Sequence, residues 1–244
     1  MEVHHHTHHP KRWKEYFWEF FMLFLAVFCG FLAEIQLEHY IERQREEKYI
    51  ENLIVEIKQD LISLDESNRE IENNVKRLDT LLQIIGKGEQ NARSADLYYL
   101  ARIGSRLVPL FINDFTITQL KYSGGFRLIH DLKVAKEIAL HYSKQATIEK
   151  LYNVDLNEAD DYRKIALEIF DPLIFDALIT ANGQITRPNF NPPFIENNAK
   201  VIKKFAGTAA YLKNTRKSLI IYQSEFKKSA ENLISLIEKS YHLK

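Results

Sequence analysis

From Phe17 to Ala33 the chain reads FWEFFMLFLAVFCGFLA, an almost unbroken apolar run. With Tyr16 and Leu37 at its flanks it gives roughly 20 residues, the length at which a helix crosses a bilayer. Its uncharged centre, between Glu19 and Glu34, is shorter and by itself would suit a buried helix or the apolar region of a signal peptide. Phe28 and Phe31 stand where cleavage needs small residues, and Phe28 precedes Cys29 where lipoprotein processing needs one. The pattern therefore predicts an uncleaved transmembrane helix over 16–37, with Trp13, Tyr16, Phe17 and Trp18 as interfacial aromatics.

Beyond the span the pattern turns from continuous to periodic. Ile50, Ile54, Ile57, Leu61, Leu64, Asn68, Ile71, Val75, Leu78, Leu82 and Ile85 follow at alternating steps of four and three. This is the seam of a long helix packed on other helices. Its one polar member, Asn68, is of the kind that fixes register or oligomer state, satisfied by a partner chain or by a neighbouring helix of the same chain. Gly86 and Gly88 supply a stop. Between span and seam, residues 38–49 (EHYIERQREEKY) carry charge on every face and read as a helical, solvated stalk.

Further along, Ser94 with Asp96 predicts a short helix to about Arg106, Asn113 or Asp114 a second one, and Ser123-Gly124-Gly125 its end. Asp131 predicts the cap of a long segment reaching Phe170, where Asp171-Pro172 breaks or renews the helix. Asn182-Gly183 and ITRPNFNPPF make an irregular loop. From about Glu196 to Tyr241 a second seam runs through Val201, Phe205, Ala209, Leu212, Leu219, Phe226, Ala230, Leu233 and Ile237, interrupted by Arg216 and Gln223. The expected fold is all-α: a transmembrane helix continuing into an elongated antiparallel bundle of three long helical segments and one shorter, broken one. Its parts are a leader over 1–15, the span over 16–37, the stalk over 38–49 and the bundle over 50–244.

Composition narrows the function classes. Thirty-three basic residues balance 33 acidic ones, so overall charge gives no support for nucleic-acid binding. A single cysteine permits no intrachain disulfide, and 8 glycines with 6 prolines in 244 residues agree with long helices. Lys11, Arg12 and Lys14 precede the span, whereas nothing basic but His39 follows it before Arg43, which places the amino terminus in the cytoplasm and the bundle in the periplasm.

The span has two faces. Phe17, Phe20, Phe21, Phe24, Phe28 and Phe31 form an aromatic stripe; Glu19, Met22, Ala26, Gly30 and Ala33 lie on another side. Ala26 and Gly30 are a small-xxx-small pair that lets helices approach closely, so this face is a candidate for self-association. Glu19 on it reads either as an interfacial carboxylate or as an ion or proton ligand of an oligomeric assembly.

Two stretches, the start MEVHHH with KRWKEYFWEFFMLFLAVFCGFLAE and the interior TITQLKYSGGFRLIHD, resemble a family of uncharacterised single-span membrane proteins common in Bacteroidota. The resemblance implies a bacterial inner-membrane anchor and a native histidine-rich leader, and brings no activity and no catalytic residues.

No phosphate loop, HExxH or nucleophile constellation is present, so no enzyme and no cofactor are expected. His4, His5, His6, His8 and His9 could hold a divalent metal weakly and adventitiously, or reinforce contact with anionic headgroups. His130 and His141 would share a helical face only if the helix were continuous, which a cap at Asp131 argues against. The Ser123, Gly124, Gly125, Arg127 stretch is a functional loop facing an anionic ligand or partner, or simply a bundle corner. The function expected is a non-enzymatic scaffold whose partners are the bilayer, a second copy and another membrane or periplasmic protein; the alternatives are a receptor-like bundle and a Glu19-based conducting assembly.

Overall fold

A computed structural model describes residues 12–243; the five leader histidines lie outside them. The chain is helical: α1 (Trp13–Gly86), α2 (Ser94–Gly104), α3 (Phe115–Tyr122), a 3-10 turn (Gly125–Leu128), α4 (Leu132–Ile169), α5 (Pro172–Ala177) and α6 (Ala199–Ser240). Among the described residues there is no strand, only an isolated bridge between Ile179 and Ile185.

α1 is one helix of 74 residues, about 110 Å long at 1.5 Å per residue. Its first part is long and apolar enough to cross a membrane, with mean hydropathy 2.1 over a window in which no residue is buried. Within it Phe17 stacks on Phe21, and Phe20 on Phe24 on Phe28, so the aromatic stripe is a contiguous surface.

The second part of α1, α4 and α6 form three continuous columns of a bundle, with α6 packed against both of the others. The fourth column is broken. It comprises α2, an extended stretch over 105–114, and α3, descending from the far end of α1 toward its apolar segment. α4 then climbs back, α5 and the proline loop turn at the far end, and α6 returns. Three apolar clusters stack along this axis. Ile50 to Ile57 meet Leu120, Val134, Ile138 and Leu233 nearest the apolar segment; Leu64 and Ile71 meet Ile148, Leu219 and Phe226 midway; Leu78 to Ile84 meet Tyr98, Tyr162, Phe170 and Phe205 at the far end.

The α6 seam is buried as its pattern indicates, with Ile202 in place of Val201 as its first member. The α1 seam is largely buried too, with Leu61, Leu82 and Ile85 half-buried, but a second row, Leu53, Asp60, Ser67, Asn74 and Leu81, is buried beside it at seven-residue spacing. Three of those five are polar, which is why hydrophobic periodicity misses the row. Asn68 itself is only half-buried, and its Oδ1 is enclosed without a hydrogen-bond partner among the described residues. Both seams close within one chain.

Segment 38–49 is helical and largely solvated, except that Glu46 is buried, so the bundle begins a turn nearer the span than residue 50. Asp131 caps α4 through the amides of Lys133 and Val134, Asp171 caps α5 and Asn198 caps α6. α2 and α3 differ: Asn191 of the proline loop accepts from the amide of Ala95, and Glu56 of α1 from the amide of Thr116. The expected local caps, Ser94 or Asp96 and Asn113 or Asp114, do not bond the first turns of these helices.

Candidate functional site

The interrupted column leaves backbone groups inside a helical bundle, and buried polar groups elsewhere answer them. Where α2 ends, Arg216 of α6 donates to the carbonyls of Gly104 (2.7 Å) and Arg106 (3.1 Å), to Asn74 Oδ1 (2.5 Å), and to Asp155 Oδ1 (2.8 Å). Arg216 and Asp155 are 1% and 2% exposed, so this ion pair is fully withdrawn from water. Burial without partners would be prohibitive for either charge, and five bonding directions on the guanidinium make the arrangement tenable. The residues that read as interruptions of the α6 seam, Arg216 and Gln223, are therefore its polar core; Gln223 donates to Tyr152, which also meets Ser67.

Where α3 begins, Asp60 Oδ1 accepts from the amide (2.8 Å) and the side chain (2.7 Å) of Asn113, and Glu56 accepts from the amide and hydroxyl of Thr116. Burial raises Asp60 to about 6, against the opposing pull of those two hydrogen bonds. On the other side of the bundle His141 lies against Ser229 and stacks on Phe226 at 4.2 Å, and burial lowers its pKa to about 4. His130 is far from it in role: its backbone amide and Nδ1 both meet Glu46, at 2.7 and 2.6 Å, while Tyr241 donates to the same carboxylate. Together with Ser240 on Asp131, these contacts clasp the middle of α1 to the start of α4 and the end of α6.

The glycine loop sits at this clasp. Gly124 has φ +70°, the left-handed conformation that the sequence anticipates, and a Cβ on Gly125 would meet Leu120 at 3.0 Å. Ser123, Gly124 and Arg127 line a cavity of about 530 Å³ with Glu34, Glu38, Glu42, Arg45 and Tyr49 of α1. The loop is thus both the bundle corner and one wall of a charged groove beside the apolar segment of α1. Ala26, Gly30 and Ala33 are exposed on the span with Glu19, and nothing would meet a Cβ at Gly30.

At the opposite end, a second cavity of about 320 Å³ lies between α2, α4 and α5. Its walls include Ala101, Ala166, Phe175 and Ile179, with Arg102, Arg163 and Asp176 at the edge. Phe175 is fixed there by the ring cluster of Tyr98 and Phe170, at 5.6 and 5.2 Å. Tyr98 itself bonds Pro193 O and the amide of Asp171, tying the proline loop down. Hydrophobic patterning could not have found this cavity, because its arginines fall on helices that are not adjacent in sequence.

Among the described residues no three His, Cys, Asp or Glu side chains are grouped to hold a metal. Cys29 is exposed on the span. No protein-family model, curated protein or solved structure matches the chain.

Proposed function

We propose that the protein is a non-enzymatic scaffold, anchored in the bacterial inner membrane by α1 with its leader in the cytoplasm and its bundle in the periplasm, and that it self-associates through the span. The observation that carries this reading is the division of labour along α1: its bundle half is covered by α6, α2 and α3 of the same chain, while its apolar half has no buried residue in the hydropathy window. Association then falls to the span, where Ala26, Gly30 and Ala33 offer close approach. The orientation follows from Lys11, Arg12 and Lys14 on one side of the span. Mass measurement of the full chain in lipid nanodiscs and in detergent tests the reading. An oligomer that Gly30→Leu converts to monomer supports it; a monomer at every concentration removes it.

A ligand-sensing bundle is the second reading, favoured by the cavity at the far end. A protein of this form would register a ligand at the tip and report it along the single helix that enters the membrane.

A further inference from the structure

The cavity between α2, α4 and α5 has a specific chemistry. Its floor is apolar: Ala101 and Ala166 are buried, and Phe175 and Ile179 are half-buried beside them. At its edge stand two guanidinium groups, Arg102 and Arg163, and a third, Arg106, lies outside the lining but close enough to repel Arg102. Arg163 is committed, donating to Ser105 O at 2.5 Å and to Asp160 at 2.7 Å. Arg106 is committed as well, donating to Gly183 O at 2.6 Å. Arg102 is half-buried, and its guanidinium makes no hydrogen bond or ion pair with any described residue. Burial, and then the like charges of Arg106 and Arg163, hold Arg102 below the ordinary guanidinium value; Asp176 opposes them from across the opening without forming an ion pair.

A half-buried guanidinium has five donors in a planar fork, matched by a carboxylate in two parallel bonds. One such group, above a floor of aliphatic and aromatic carbon, calls for one negative charge on an apolar body. About 320 Å³ lies at the lower end of the size of small-molecule sites. A second negative charge would meet Asp176, and a bulky polar ligand would leave the floor unmatched.

We propose that this cavity binds a compact apolar monocarboxylate, its carboxylate on Arg102 and its body on Ala101, Ala166, Phe175 and Ile179. The site goes beyond the scaffold reading and does not depend on it, since oligomer mass and ligand affinity are separate measurements. It places recognition at the end of the bundle farthest from the membrane, on the helices of the broken column and the turn that follows α4.

Isothermal titration of the full chain in nanodiscs with 4-phenylbutyrate, corrected against empty nanodiscs, tests the proposal. Saturable binding is expected, about tenfold or more weaker for Arg102→Gln, the scale of a hydrogen bond to a charged group. The neutral amide, 4-phenylbutanamide, should bind at least about tenfold more weakly than the acid on the same grounds. Asp176→Asn should tighten binding, because it removes the one acidic group facing the opening, and this second variant keeps the test decisive if Arg102→Gln fails to fold. Equal affinity for acid and amide, no saturable binding of the acid, or weaker binding by Asp176→Asn would each overturn the proposal.

Discussion

Three columns of the bundle are single helices and the fourth is two short helices joined by an extended stretch, and the two kinds are held differently. α4 and α6 carry their own caps, Asp131 and Asn198, and bury apolar stripes against one another. α2 and α3 take theirs from Asn191 and Glu56, which are distant in sequence, and their free backbone groups are met by Arg216 and Asp60. A long helix satisfies nearly all of its backbone internally, so its neighbours need only be apolar. A broken column exposes amides and carbonyls inside the molecule, and each must find a partner or cost stability. The polar residues of the other columns are placed accordingly.

The comparison can be broken most directly at Arg216. Replacing it by Met strands Asp155 and two carbonyls, an expected loss of about 3–5 kcal/mol. Pairing it with Asp155→Leu should restore much of that loss, as removal of a whole buried pair usually does. Urea denaturation of both variants in the same detergent measures it; a single-variant loss below about 1 kcal/mol would mean the cluster does not hold the break. Next in size come the caps. Glu56→Ala should cost about 1–2 kcal/mol and speed amide exchange throughout α3, whereas Asp131→Ala should cost a similar amount with faster exchange only in the first turn of α4. Equal and local exchange in both would erase the difference between the two kinds of cap.

Two buried groups sharpen the contrast through pH. Asp60, against the broken column, has a pKa raised from 3.8 to about 6, so the native state binds the additional proton and stability falls as pH rises through that window. His141, between continuous columns, has a pKa lowered from 6.5 to about 4, so the unfolded state binds the proton more readily and stability falls as pH drops through the same range. Relative to the parent, Asp60→Asn should therefore gain stability from pH 4 to 6, and His141→Gln should gain it from pH 6 to 4; melting curves across that interval read the signs. Smaller still, Gly124→Ala places a side chain at φ +70°, for about 1 kcal/mol. The exposed pair of Lys58 with Glu238 should contribute less than about 0.5 kcal/mol to either alanine variant.

The long helices were legible because burial repeats along them. Ile50 to Leu78 and Phe205 to Ile237 announce their faces, and Asp131, Asp171-Pro172 and the glycine turn punctuate the chain where the structure bends. The caps of α2 and α3 were not legible, since Asn191 and Glu56 lie 96 and 60 residues from the amides they accept from, and no fixed local spacing announces either. The same holds for the polar row of Asp60, Ser67 and Asn74, which a hydrophobic template passes over. Of the anticipated site residues, Ser123, Gly124 and Arg127 do line a cavity, while the arginines of the far cavity gave no local signal.

What the sequence by itself determined is the helical class, the apolar span and the columns that bury a continuous stripe, because these depend on patterns a few residues long. Only the tertiary structure decided that both seams close within one chain, that Arg216 and Gln223 belong to the core, and that Arg102 stands over an apolar floor. Those outcomes depend on which distant groups meet once the fourth column breaks, and no short-range pattern encodes a meeting of that kind.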